Sequence, residues 1–165
     1  MSSPPSAHTP EPSLPMNVLQ QIRRIVRAAQ RHSQLLEKST GLPGAQLWAL
    51  QEVVSDPGLR VGDLARHMHL HISTTSNLVD KLITGGYLAR VRSKRDQRVI
   101  CLQPTAAAEA LIGAATLPTR GLLPEVLNQM PEAELLQIHA ALNRLLDRLP
   151  DNAPEAGLKP LPFTE

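Results

Sequence analysis

The spacing of apolar residues changes at the Gly85–Gly86 pair, and this change is the strongest constraint on the fold. Before the pair, residues 61–68 and 72–84 carry apolar side chains at helical spacing and are separated by a short connection. After the pair, residues 87–92 and 97–102 alternate apolar and polar side chains around a charged turn, which predicts a β-hairpin. Two short helices, a tight turn and a hairpin in this order predict a winged helix-turn-helix.

Long amphipathic helices are predicted on both sides of this middle region. Residues at heptad-type spacing form one seam near the start and one near the end. They are Val18, Ile22, Ile25, Ala29, His32 and Leu36, and then Leu135, Ile138, Leu142, Leu145 and Leu149. Only three residues of the chain are aromatic, so we expect a homodimer to cover these stripes, with an intramolecular bundle as the alternative. The predicted fold class is mainly α with a small β-hairpin wing and a long helical dimerisation region.

Proline marks the expected domain boundaries. Nine of the 15 prolines lie in the two terminal stretches, which are poor in apolar residues. We therefore predict a disordered Pro-rich arm at 1–15 and a flexible tail at 150–165. The helical dimerisation region is assigned to 16–40 and 105–149, and the winged helix-turn-helix to 41–104.

Charge is concentrated in the middle of the chain. The net charge of the whole chain is +2, but residues 60–98 contain eight bases and only three acids, near +5. Such a local excess predicts a surface that binds a polyanion. The single cysteine excludes an internal disulfide, and neither a signal peptide nor a membrane-spanning run is visible, so we expect a cytoplasmic protein with no membrane association.

The segment 72–84 has an open face of small hydroxyls and an amide in place of the usual Glu and Lys. In a helix-turn-helix the second helix enters the major groove of DNA, where Ser, Thr and Asn pair with base edges. The alternative is a solvated face with Ser and Thr near the helix N-terminus. The hairpin favours double-stranded DNA as the partner, because its crowded cations need a nearby anion. These cations are Arg90, Arg92, Lys94, Arg95 and Arg98.

With these predicted elements, the sequence resembles the MarR family of transcription regulators. The matching stretches are "GAQLWALQEVV", "LRVGDLARHMHLHISTTSNLVDKLITGGYLARVRSKRDQR" and "LQPTAAAEAL". Within them, Asp96-Gln97-Arg98 resembles the family's D-R-R wing motif. The resemblance implies a homodimeric repressor that grips a pseudo-palindromic operator and is not an enzyme.

Site residues follow from the same resemblance. It implies groove contacts for Ser73, Thr74, Thr75, Ser76 and Asn77. It implies minor-groove contacts for Arg95 and Arg98, with Lys81, Arg90 and Arg92 near phosphates and Lys94 on the same wing. His71 stands where the family often has an Asp that pairs with the wing Arg, so we expect Asp96 to hold Arg98 and stabilise the wing instead.

Many members of the family release DNA when a small molecule binds, often an aromatic or phenolic acid. An arginine beside a tryptophan face holds an anionic ring by charge and stacking. We therefore predict that a small aromatic or heteroaromatic carboxylate is the effector, with no other cofactor. Its expected contacts are Arg27, Arg31, His32, Gln46 and Trp48. The alternative is that the arginines are solvated or bridge the dimer and that Trp48 belongs to the core.

The sequence also contains candidate residues for control by a metal or by oxidation. His67, His69 and His71 alternate around the turn and suggest a zinc site, but they lie on different elements and we assign no metal. Cys101 is a candidate redox switch or an inert packed thiol. A winged-helix module that binds proteins instead of DNA is the remaining alternative. An enzyme is not expected, because no nucleophile–base pair or phosphate-cradling glycine loop is visible.

Overall fold

The computed structural model describes residues 13–93, 96–150 and 153–164. These residues form a mainly helical fold with one two-stranded antiparallel hairpin, which confirms the predicted fold class. The first half contains α1 (Leu14–Thr40), α2 (Gly44–Ser55), α3 (Val61–Met68) and α4 (Ile72–Thr84). The second half contains β1 (Leu88–Arg92), β2 (Ile100–Pro104), α5 (Ala106–Ala114), α6 (Leu122–Asn128) and α7 (Glu132–Leu146), followed by 3₁₀ turns at Pro154–Leu158 and Pro162–Thr164.

Helix α2 lies at the centre of the core. Its Leu47, Leu50 and Val53 side chains are completely buried. The helix packs against α3, α4, α5 and β2, so apolar residues are required on several of its faces. The core is thus built from the winged helix-turn-helix elements together with α5 and Leu36 of α1.

Helix α4 buries a stripe of side chains that includes one threonine. The buried residues are Thr75, Leu78, Val79 and Leu82, whereas Ile72 is 60% exposed. The hydroxyl of Thr75 donates to the carbonyl of His71 at 3.1 Å, which satisfies its only polar group inside the core. A threonine therefore occupies a core position in the first turn of α4, whereas Ile72 is exposed.

The wing begins at the glycine pair. Gly86 adopts φ 78°, a left-handed conformation that favours glycine, and β1 follows. Strand β2 starts at Ile100, later than predicted, because the Val99 N–H donates to the Asp96 carbonyl and keeps the residues between them in a turn. The Leu102 N–H donates to the Leu59 carbonyl at 2.8 Å, which ties the wing to the segment before α3.

The helices on either side of the winged helix-turn-helix differ in how far their apolar residues are buried. The first half of α1 and most of α7 leave their large apolar residues exposed, including Ile25 at 52% and Leu142 at 51%. Helix α5, which we assigned to the dimerisation region, instead packs on α2 and β2 through the fully buried Ala108.

The predicted arm is mostly outside the described residues, and its last two residues belong to α1. Among the described residues, no helix combines the length and hydropathy needed to cross a membrane.

The C-terminal segment (residues 153–164) was predicted to be a flexible tail, but it is folded against the rest of the chain. Ser33 Oγ donates to the Phe163 carbonyl at 2.9 Å, and the His71 N–H donates to the Leu158 carbonyl at 3.0 Å. Apolar Leu161 and Phe163 line a cavity with residues of α1 and α2. These contacts offset the conformational entropy that a proline-rich stretch alone does not overcome.

The connection between α3 and α4 contains the one non-glycine residue with positive φ among the described residues. His69 adopts φ 51° and ψ 43°, and this left-handed conformation ends α3. We expect His69→Gly to raise the free energy of unfolding by about 1 kcal/mol, because a Cβ in this conformation costs about 1–2 kcal/mol. Urea denaturation at a fixed protein concentration measures the change.

The matched control for this prediction is His69→Ala, which removes the imidazole but keeps the Cβ. The alanine variant should gain no stability. Equal stabilisation of both variants would trace the effect to loss of the imidazole and contradict the conformational explanation.

Candidate nucleic-acid interface

The face of α4 opposite the core presents small polar side chains to solvent. Ser73 and Asn77 are exposed, as is Lys81 one turn later, and Thr74 and Ser76 are half-buried beside them. Together these residues form a narrow polar strip without long acidic side chains. The predicted contact of Thr75 with DNA is wrong, because this residue belongs to the buried stripe of α4 and is 0% exposed.

An ion pair connects this helix to the wing. Arg90 Nη2 on β1 lies 2.8 Å from Asp80 Oδ1 on α4, and both side chains are about half exposed. The expected position of Arg90 near a phosphate stays a prediction, and in the structure its guanidinium pairs with Asp80. Residue spacing along the chain did not reveal this pair, since it depends on how β1 folds back beside α4.

The turn of the wing is organised around Asp96. Its Oδ1 accepts the backbone N–H of Arg98 at 2.9 Å, and its carbonyl accepts the N–H of Val99. Arg92 Nη1 donates to the Gln97 carbonyl at 3.3 Å across the hairpin. Asp96 therefore contacts Arg98 through the backbone, and the Arg98 side chain is exposed. The predicted contacts of Lys94 and Arg95 lie outside the described residues.

The three acids of residues 60–98 are all used in local contacts. Asp63 pairs with Arg66, and the hydrogen bond from this guanidinium lowers the pKa of the Asp63 carboxyl. Asp80 pairs with Arg90, and Asp96 closes the wing turn. Because these carboxylates are engaged inside the domain, the outer edge of the wing keeps the positive charge that the composition of the segment predicts.

A cavity of about 220 Å³ lies between α1, α2, the α3–α4 turn and the C-terminal segment. His32 and Trp48 line it, as predicted for an effector site, together with mainly apolar residues. Arg27 and Arg31 do not line it and are exposed on α1, whereas His32 is buried. Gln46 is buried in α2 but is also absent from the lining. The cations at the cavity are Arg120 and Lys159, which the sequence reasoning missed.

Glu52 organises the polar contacts beside this cavity. Its Oε1 accepts hydrogen bonds from Trp48 Nε1 at 3.0 Å and from Arg120 Nε at 2.6 Å. His67 Nδ1 lies 3.6 Å from Oε2 of the same carboxylate. The spacing of Trp48 and Glu52 by four residues predicts only the first contact. The contact with Arg120 joins positions far apart in the chain and has no sequence signal.

The three histidines around the α3–α4 turn occupy different environments. His67 faces Glu52, His69 occupies the left-handed position, and His71 precedes α4 with its N–H bonded to the C-terminal segment. Within the described residues, no three His, Cys, Asp or Glu side chains are grouped closely enough to hold a metal ion. Cys101 lies half-buried on β2, opposite Val91 of β1.

Comparison with solved structures identifies similar folds. The chain is similar to a MarR family protein from Bacillus stearothermophilus, with 24% identity and a TM-score of 0.52 over 80% of this chain and 92% of that chain. It is similar to a MepR-like protein complexed with pseudoligands, with 20% identity and a TM-score of 0.57 over 81% of this chain and 94% of that chain. It is also similar to S. aureus MepR in complex with DNA, with 20% identity and a TM-score of 0.52 over 79% of this chain and 92% of that chain.

The sequence comparison agrees with this likeness. None of the curated proteins matches the chain. Residues 40–99, which run from the end of α1 through the turn of the wing, match the model of the MarR family. Residues 40–99 are thus similar to the MarR family in sequence, and the described residues share the fold of its solved structures.

Proposed function

We propose that this chain is a homodimeric repressor that binds a pseudo-palindromic DNA operator and releases it when a small molecule binds. The observation that carries the proposal is the exposed polar strip of α4 beside a basic wing. Ser, Thr and Asn on a helix suit the donor and acceptor pattern of the major groove. Arginines on an adjoining hairpin suit the narrow, strongly negative minor groove. The complex of S. aureus MepR with DNA, which has a similar fold, supports this assignment.

The proposed dimer rests on the exposed apolar faces of α1 and α7. On α7, one side of the helix carries Ile138, Leu142 and Leu145, all exposed in the single chain. Burial of such surface stabilises association by roughly 25 cal/mol per Å². A second copy of the chain offers the same two helices, so a two-fold arrangement covers both faces at once.

A charge placed in the proposed interface should prevent association. We expect Leu142→Glu to convert the dimer into monomers, because a carboxylate buried among leucines loses its hydration. Ala140→Glu, an exposed position on the opposite side of α7, is the matched control and should leave the dimer intact. Sedimentation equilibrium measures the mass of each variant. A Leu142→Glu protein that remains dimeric would place the interface elsewhere.

The two-fold dimer sets the geometry of the proposed operator. Two recognition helices related by a two-fold axis reach successive major grooves, so half-sites are expected about 10 bp apart. Arg98 is our candidate for the wing contact with DNA. Its side chain is exposed, and Asp96 accepts a hydrogen bond from its backbone N–H.

Arg98→Ala tests the proposed wing contact. It should weaken operator binding by about 1–3 kcal/mol and reduce the salt dependence of binding by about one counterion, while the dimer stays intact. Fluorescence anisotropy at several salt concentrations measures both quantities on a duplex from the upstream region of the gene. Gln97→Ala, in the same turn but without charge, is the control. Unchanged affinity of Arg98→Ala would contradict the wing assignment.

The cavity is the proposed effector site. At about 220 Å³ it is smaller than the roughly 300–1,000 Å³ of pockets for drug-sized ligands, which favours a single-ring molecule. Trp48 offers an aromatic surface, and His32 and Lys159 are polar groups on the lining. A small aromatic or heteroaromatic carboxylate combines a ring with a charge that Lys159 pairs with, so we retain this class of effector with a revised set of contacts.

Benzoate is a suitable first probe of the site. Because Trp48 is the only tryptophan of the chain, its emission should change on titration with benzoate. Benzoate at 100 times its Kd should stabilise the protein by about 2.7 kcal/mol and should also weaken DNA binding. Benzyl alcohol, which lacks the charge, should bind more weakly. If neither benzoate nor related acids change the melting temperature or the DNA affinity, the carboxylate effector is wrong and control by metal or cysteine oxidation becomes the leading alternative.

A further inference from the structure

The C-terminal segment bridges two parts of the fold to which the proposed function gives different tasks. One anchor is the Leu158 carbonyl, which accepts the N–H of His71 at 3.0 Å immediately before α4. The other anchor is the Phe163 carbonyl, which accepts the hydroxyl of Ser33 on α1 at 2.9 Å. The segment therefore connects the beginning of the proposed DNA-reading helix to the proposed dimerisation helix.

The contact of the segment with α1 and α2 is closely fitted. A Cβ added at Gly44 would lie 3.1 Å from Ser33 Oγ and 3.5 Å from the Cβ of Thr164. Only a small residue at the start of α2 leaves room for this arrangement. The segment also closes its own turns, with the Thr164 N–H donating to the Leu161 carbonyl at 2.8 Å. These features indicate a specific docked conformation.

The same segment forms one wall of the cavity. Lys159, Leu161 and Phe163 line it together with His32 of α1 and Trp48 of α2. Any molecule in the cavity therefore meets the segment directly. Docking of the segment leaves Ser73 and Asn77 of α4 exposed, so it does not block the polar strip.

We propose that the C-terminal segment is a conformational coupling element that holds the start of α4 at a set position relative to α1. The docked segment keeps α4 ready to bind DNA, since it supplies a carbonyl to the backbone at the beginning of the helix. A ligand in the cavity shifts this balance only if its affinity differs between the docked and released states. The effect on DNA binding rests on the proposed function, whereas the docking itself does not.

Coupling between the two anchors is tested in the full-length protein. Ser33→Ala removes the hydrogen bond to Phe163, and the readout is hydrogen exchange of the His71 amide at the other anchor. If the segment docks as one unit, the exchange should accelerate about 2- to 10-fold, the range expected for the loss of one net hydrogen bond. Ser39→Ala is the matched control, because its hydroxyl donates to the Leu36 carbonyl within α1. An unchanged exchange rate at His71 in Ser33→Ala would overturn the coupling element.

The effect on DNA is tested with Phe163→Ala, which removes a cavity wall without touching α4 or the wing. The probe is a duplex selected from a randomised library by the unsubstituted protein. We expect at least about 5-fold weaker binding, the low end of typical coupling between two sites, with the dimer intact. Glu155→Ala, an exposed change in the same segment, should bind as tightly as the unsubstituted protein.

These measurements separate the two proposals. Unchanged DNA affinity of Phe163→Ala would overturn the link between the segment and DNA binding. Failure of the unsubstituted protein to select any duplex would contradict the proposed function instead. The exchange of the His71 amide would then still decide whether the segment docks as one unit.

Discussion

The structure depends on α2 being buried on several sides at once. A helix that is apolar around most of its circumference is stable only when other elements surround it. Here α3, α4, α5 and β2 do so, and Leu47, Leu50 and Val53 are completely buried between them. The polar strip of α4 faces solvent because the opposite side of that helix packs on α2. The position of the candidate interface is thus a consequence of how the core closes.

Features that depend on nearby residues were predictable, and those that depend on distant ones were not. The bounds of α3 and α4 agree with the predicted segments. The helical spacing of both segments and the glycine pair after α4 are local signals. The role of Thr75 was missed, since threonine suits a groove and a satisfied core position equally well. The Asp80–Arg90 pair and the docking of Phe163 on Ser33 require the tertiary fold, and no spacing in the sequence indicates them.

The lining of the cavity likewise contains residues that the sequence predicted and residues that it did not. His32 and Trp48 were predicted from their chemistry and their positions on the first two helices. Arg27 and Arg31 carry the right charge but do not line the cavity, so residue type alone gave the wrong cations. Lys159 comes from a stretch whose composition is typical of disorder. Its place in the lining depends on contacts made by neighbouring residues of the C-terminal segment.

The Arg90–Asp80 pair also bears on how DNA would be discriminated. A half-exposed ion pair contributes only about 0–1 kcal/mol, so its main effect is on orientation. The pair links the wing to α4. If both elements contact DNA as proposed, their two contacts with the duplex lie at a fixed separation. Such contacts gauge the width and twist of the duplex as well as its bases. Sequences that deform easily towards that separation would then be preferred even at base pairs that no side chain touches.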